Sequence, residues 1–237
     1  MQSMSQYKEL FTKTLKNDSL KTLGNYFTGE AAVKAIGIIT LPILTRLLSS
    51  AEYGYLSIFN SLITIFIIIL PLNQQVSLRA TYLKNKNNFD EYLGTVTISS
   101  IISAIIISVI LMGFSESIAQ FFNIPSLLFQ FSVLAALIRI IKEIYFRTLL
   151  AFNNSKQYAV TNFIFHIADA IGTIGFVYFM LSDKYLGKAY SQIIVGSVFL
   201  VYSFYRLNHY TVWKFKSVHF KASLLFSMPL IFHAISH

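Results

Sequence analysis

The sequence predicts an all-α polytopic membrane protein: six transmembrane helices, plus the start of a seventh helix. Three observations predict it. Hydrophobic residues make up 55% of the 237 residues and charged residues only 12%, with a mean hydropathy of +0.60. Apolar stretches cover 26–48, 55–78, 93–114, 127–152, 158–181 and 189–207. Each is near the roughly 20 residues that cross a bilayer core as helix, and lipid leaves exposed peptide groups no other way to be satisfied. Finally, the loops between these stretches are short, and basic residues gather in every second one.

Residues 1–22 precede the first span. Lys8, Lys13, Lys16 and Lys21 interrupt any continuous apolar core, so this is no cleavable signal peptide. Met4, Tyr7, Leu10, Phe11, Thr14 and Leu15 recur at spacings of three and four, which predicts a helix lying on the membrane surface with its lysines near anionic lipid. Residues 23–208 form the six-helix lobe. Pro42 and Pro71 interrupt the first two spans, where a proline can shape a cavity or hinge or simply pack. Ser99, Ser100, Ser103 and Ala104 in the third span, and Ala168 with Gly172 in the fifth, place small residues a turn apart and predict close helix contacts. Residues 209–221 form a basic loop. Residues 222–237 begin a seventh helix, at about 16 residues too short to span a bilayer.

The N-terminal segment, the second loop (Arg79, Lys84, Lys86), the fourth (Arg147, Lys156) and the sixth (Arg206, Lys214, Lys216, Lys221) hold thirteen of the nineteen Lys and Arg residues. The opposite side holds Arg46, Lys184 and Lys188. This asymmetry predicts a cytoplasmic N-terminus. The same loop placement accounts for the net charge of +9 without a nucleic-acid partner. The absence of cysteine excludes disulfides and thiolate metal sites. No phosphate-binding glycine loop, HExxH or GxSxG is present, so neither an enzyme nor a cofactor is expected. His233 and His237 share a helical spacing but lack further metal ligands. Lysine outnumbers arginine 14 to 5, which points to an AT-rich, bacterial coding sequence.

The informative residues are charges inside the spans, each costing at least about 2.5 kcal/mol at mid-depth. Span one carries Glu30 and Lys34, span four Arg139, Lys142, Glu143 and Arg147, and span five His166 and Asp169. Helical rise places them in one layer, where they must face each other or water. Two readings follow. In one they neutralise each other: Glu30 with Lys34, Glu143 with Arg139 or Arg147, Asp169 with Lys142 or His166. In the other they line a cavity, with Arg139, Lys142 and Lys34 contacting an anionic substrate and Glu30, Glu143 and Asp169 serving in ion coupling or as structural partners.

The stretch Leu41-Pro42-Ile43-Leu44-Thr45-Arg46-Leu47-Leu48, continuing to Glu52-Tyr53-Gly54, resembles the end of the first helix and outer turn of Wzx-type polysaccharide flippases. These belong to the multidrug/oligosaccharidyl-lipid/polysaccharide exporter superfamily. Gly54 would there permit the turn into span two. Leu224 to Ala234, with Pro229, looks like the opening of that family's seventh helix, and Pro71 to Leu83 fits more loosely. The resemblance implies two six-helix lobes around an alternately opening cavity, of which this chain supplies the N-terminal lobe, leaving a C-terminal lobe or second chain as partner. It implies a polyprenyl-diphosphate-linked oligosaccharide carried across the bacterial cytoplasmic (inner) membrane for surface polysaccharide such as the O-antigen of lipopolysaccharide. A drug/cation antiporter of the same superfamily and a truncated, non-transporting fragment are the alternatives.

Overall fold

The computed structural model describes residues 2–235, with side chains for residue 22 and residues 24–234. His237 and the side chains of the N-terminal apolar stripe lie outside the described residues. Among the described residues nine α-helices follow in order: α1 (Gln2–Leu47), α2 (Ser50–Ile69), α3 (Ser77–Lys84), α4 (Phe89–Gly113), α5 (Ser115–Phe121), α6 (Ser126–Ala151), α7 (Ser155–Phe179), α8 (Leu186–Asn208) and α9 (Ser217–Ile235). No strand occurs among the described residues.

The chain is an all-α, multi-pass membrane protein. From Gly24 onward α1, and likewise α2, α4 and α7, are long and apolar enough to cross a membrane; α5 and α6, bent by 113°, make a fifth if taken as one span. The sequence predicts six. The remaining segment is α8, whose charged ends at Lys188 and Arg206 and interior serines dilute its apolar character. Bulky apolar side chains such as Ile38, Val109 and Val201 point outward, as they do where lipid is the solvent.

Three elements differ from the sequence reading. The N-terminal segment is not set off by a break, because α1 runs unbroken from Gln2 and carries Pro42 inside it. Span two does not continue to residue 78. Pro71 has no amide hydrogen to carry the ladder on, and Leu72 and Asn73 then adopt left-handed backbone at φ 53° and 52°. A 3₁₀ turn, Gln74–Val76, restarts the chain as α3. Gly54 does not make the outer turn either. It lies inside α2, just past the first turn, and the outer turn is fixed by a capping box in which Ser49 and Glu52 satisfy each other's exposed amides.

Helix α6 is the hub. It packs on α2, α4, α7 and α8, burying Leu128, Val133, Ala136, Ile140, Ile144 and Leu149. Tyr82, Phe89, Phe152 and Tyr210 form one aromatic cluster, so the second, fourth and sixth loops meet at the same end of the bundle. At the other end Glu52 accepts from the Lys184 amide at 3.2 Å and Tyr55 meets Tyr185. The basic loops therefore share one end.

At that end an extended segment, 211–216, straps α8 to α9 across the start of α4. Gly94 makes the approach possible, since a β-carbon there would lie 1.9 Å from the Val212 carbonyl oxygen. Thr95 Oγ1 donates to the Lys214 carbonyl at 3.0 Å and accepts from the Lys216 amide at 3.2 Å. Glu91 pairs with Lys216. Helix α9 then docks on the break in span two, where Gln74 Oε1 accepts from both Ser99 (2.7 Å) and Ser223 (3.0 Å).

Candidate functional site

Helix α1 is held to α7 at two levels. Gly29 rests on Ala159, where a β-carbon would come within 2.8 Å of the alanine's own. Near the far end Leu44 of α1 and Leu48 just after it meet Leu56 of α2 and Val177 of α7. Between these pins the helices part and leave a cavity of about 350 Å³. Val33, Gly37 and Thr40 line it from α1 and Asn60 from α2; His166 and Asp169 line it from α7 and Lys188 from α8.

Asp169 sits at the centre of this wall. Gly172 and Gly187 let α7 and α8 close on each other: a β-carbon on Gly172 would stand 2.6 Å from Ser191 Oγ, and one on Gly187 would stand 2.8 Å from the Val177 amide nitrogen. That approach sets Ser191 and Gln192 directly on the carboxylate. Asp169 Oδ2 pairs with Lys188 and accepts from Gln192 Nε2 at 2.7 Å, while Oδ1 accepts from Ser191 at 3.1 Å. Asp169 is 4% exposed, so a single charge there must be compensated locally.

The network continues into α6. Gln192 Oε1 accepts from Arg139 Nη1 at 3.3 Å. Arg139 Nη2 lies 3.7 Å from Glu143 Oε1, and Lys142 Nζ lies 3.0 Å from the same oxygen. Both cations also lie against the Phe165 ring, at 5.3 and 4.0 Å from its centroid. One ladder thus joins Lys142, Glu143, Arg139, Gln192, Asp169 and Lys188 across three helices. It holds three cations and two carboxylates, and Gln192 is its joint, using its carbonyl toward the guanidinium and its amide toward the carboxylate.

Of the residues singled out in the sequence, Arg139, Lys142, Glu143 and Asp169 come together. Glu30 and Lys34 do not join them. Glu30 is exposed and accepts from the Tyr158 hydroxyl at 2.9 Å, not from Lys34. Lys34 is exposed, with no ion pair or hydrogen bond among the described residues. Arg147 is exposed at the basic end. Asp169 takes Lys188 as partner, not Lys142 or His166. His166 lines the cavity beside it. Lys142 is almost wholly buried behind α7, so the cation at the cavity wall is Lys188.

Sequence reasoning counted Lys188 as a loop cation because it began the sixth span at Ala189, and it passed over Ser191 and Gln192 because they carry no charge. Their spacing of three and four, at the head of an apolar stretch, was the available signal.

The comparisons with known proteins agree on one family. A family model described as polysaccharide biosynthesis protein matches residues 43–237. Protein 1 of the Lsg locus of Haemophilus influenzae is 26% identical over 223 residues, covering 89% of this chain and 52% of that protein. The chain therefore spans about half the length of the curated relative it matches. No solved structure matches it.

Proposed function

Because this chain belongs to the polysaccharide biosynthesis protein family, a transporter-type family rather than a catalytic one, we propose that it is the N-terminal lobe of a flippase. It carries a polyprenyl-diphosphate-linked oligosaccharide from the inner to the outer leaflet of the cytoplasmic membrane. The N-terminus and the basic loops face the cytoplasm, in keeping with the bias of Lys and Arg toward one end of the bundle. The observation that carries the proposal is the charge ladder against the cavity between α1, α2 and α7. A carrier of neutral or cationic cargo has no need of three cations, one buried and two largely so, against two carboxylates at membrane depth.

In this reading Lys188 meets the diphosphate at the cavity wall. Arg139 and Lys142 stand behind it, and Gln192 transmits their positive potential. Lys34, exposed on α1 a turn from the cavity lining, assists at the mouth. Diphosphate competes with Asp169 for Lys188, so binding and release exchange one anion for another without leaving a cation bare. Asp169 and Glu143 keep the ladder neutral enough to persist in the empty protein.

The test is glycan export in cells that depend on this protein. Lys188→Gln should abolish export while protein level, measured by immunoblot of membranes, stays within about twofold when Asp169→Asn is combined with it. Export that recovers in the double variant would overturn the assignment, because it would make Lys188 a structural partner of Asp169 and nothing more.

A further inference from the structure

A second concavity, of about 450 Å³, lies on another face of α7, where it packs on α8. Val160, Ile164, Val198 and Phe199 give it apolar walls, with Gln157 and Tyr202 at one end. Val160, Ile164 and Val198 are exposed, so this is an outward groove on a membrane-crossing helix, distinct from the central cavity. From Gln157 to Ile164 it follows α7 for about 10 Å from the helix start.

Its polar end is built. Gln157 Nε2 donates to the Tyr145 hydroxyl at 2.8 Å. Arg206 follows Tyr202 by one turn, on the same face and in the last turn of α8, close enough to Tyr145 to interact with its hydroxyl. The Arg206 Nε is buried and has no hydrogen-bond partner. Lys156, exposed in the first turn of α7, stands next to Gln157. The two helices that form the groove therefore each end in a cation on the same side of the membrane.

We propose that the groove holds an acyl chain of an anionic glycerophospholipid whose phosphate rests at Arg206, with Lys156 as a second cation at the same level. Apolar walls at hydrocarbon depth exclude water and suit a methylene chain. A guanidinium has five donors in a fixed fork; with Nε buried, the Nη donors are those that meet phosphate oxygens. Lys156 lines the neighbouring concavity on the α1 side of α7 and adds a second cation at the same headgroup level. A zwitterionic lipid would fill the same groove but place a positive headgroup beside these cations. The site does not depend on transport, because it lies outside the cavity and shares no residue with the charge ladder.

The experiment is native mass spectrometry of the full chain, released from mild detergent with added phosphatidylglycerol or phosphatidylcholine of matched acyl chains. Phosphatidylglycerol should be retained at about tenfold lower concentration than phosphatidylcholine, from two interfacial cations. Arg206→Gln should bring the two lipids together, and Lys156→Gln should narrow the gap should the first variant not fold. Val198→Trp, at an exposed position, should fill the groove and lose both lipids. Equal retention of the two lipids by the unaltered chain, or full retention by Val198→Trp, would overturn the proposal. So would quantitative cross-linking of Val198→Cys between two chains in membranes, since a second copy would then occupy the groove.

Discussion

Gly94→Ala should release the strap that joins α8 to α9. A β-carbon at 94 would meet the Val212 carbonyl oxygen at 1.9 Å and its carbon at 2.9 Å. Both are backbone atoms, so no rotamer relieves the overlap. The segment must withdraw by about 1.5 Å to regain ordinary contact near 3.5 Å. That withdrawal breaks three hydrogen bonds: Val212 N to Asp90 O, Thr95 Oγ1 to Lys214 O, and Lys216 N to Thr95 Oγ1. At about 1 kcal/mol each the loss is about 3 kcal/mol. Alanine in a helix returns about 1 kcal/mol, leaving about 2 kcal/mol against the closed strap, or about a thirtyfold larger open population. Limited trypsin cleavage after Lys214 and Lys216, at low protease, reads that population. Cleavage should accelerate by about that factor in Gly94→Ala. Gly113→Ala, where a β-carbon meets nothing within 4 Å, should cleave as the unaltered chain does. Equal cleavage of the two variants would refute the reasoning.

Thr95→Val removes two of those bonds while keeping shape, about 2 kcal/mol, so it should raise cleavage at the same lysines by about thirtyfold, read in the same trypsin assay. Breaking the Asp169–Lys188 pair from one side leaves a buried charge and should cost about 3–5 kcal/mol. Membrane levels of Lys188→Met should therefore fall, and Asp169→Asn with Lys188→Met should restore them; equal levels in single and double variants would deny the pair. Cysteines placed at Lys86, Lys156 and Lys216 should be shielded from an impermeant thiol reagent in intact cells, whereas those at Glu52, Glu116 and Asp183 should react. Labelling at 86 or 216 would reverse the proposed orientation. Arg139→Gln should cut glycan export without lowering membrane levels, because Glu143 still pairs with Lys142; levels that fall together with export would confine Arg139 to a structural role.

The long helices were legible because each span must bury its own backbone groups, which forces an unbroken apolar stretch onto the sequence. Helices α4, α6 and α7 accordingly begin and end within a few residues of the apolar boundaries. The break after α2 was half legible. Pro71 announced an interruption, but the left-handed turn at Leu72 and Asn73 rests on tertiary packing that no local preference signals. Helix α5 escaped notice because seven residues on the surface carry too little periodicity to read. The charges of the site were conspicuous for being in the wrong solvent. Their pairing was not, since Gln192 is an uncharged residue and Lys188 looked like part of a loop. Only the glycine contacts at 172 and 187, which bring α7 and α8 together, turn that residue list into a ladder.

The acceptor at Gln74 has a mechanical consequence for α9. One amide oxygen, fully buried, receives hydroxyls from two helices, so it acts as a notch in which Ser223 engages. Sliding α9 by one residue would bring Ala222 or Leu224 to the notch, and neither can donate from its side chain. Tilting α9 about Ser223 keeps the bond. The helix after the lobe can thus swing, while its axial position is indexed to the break in span two.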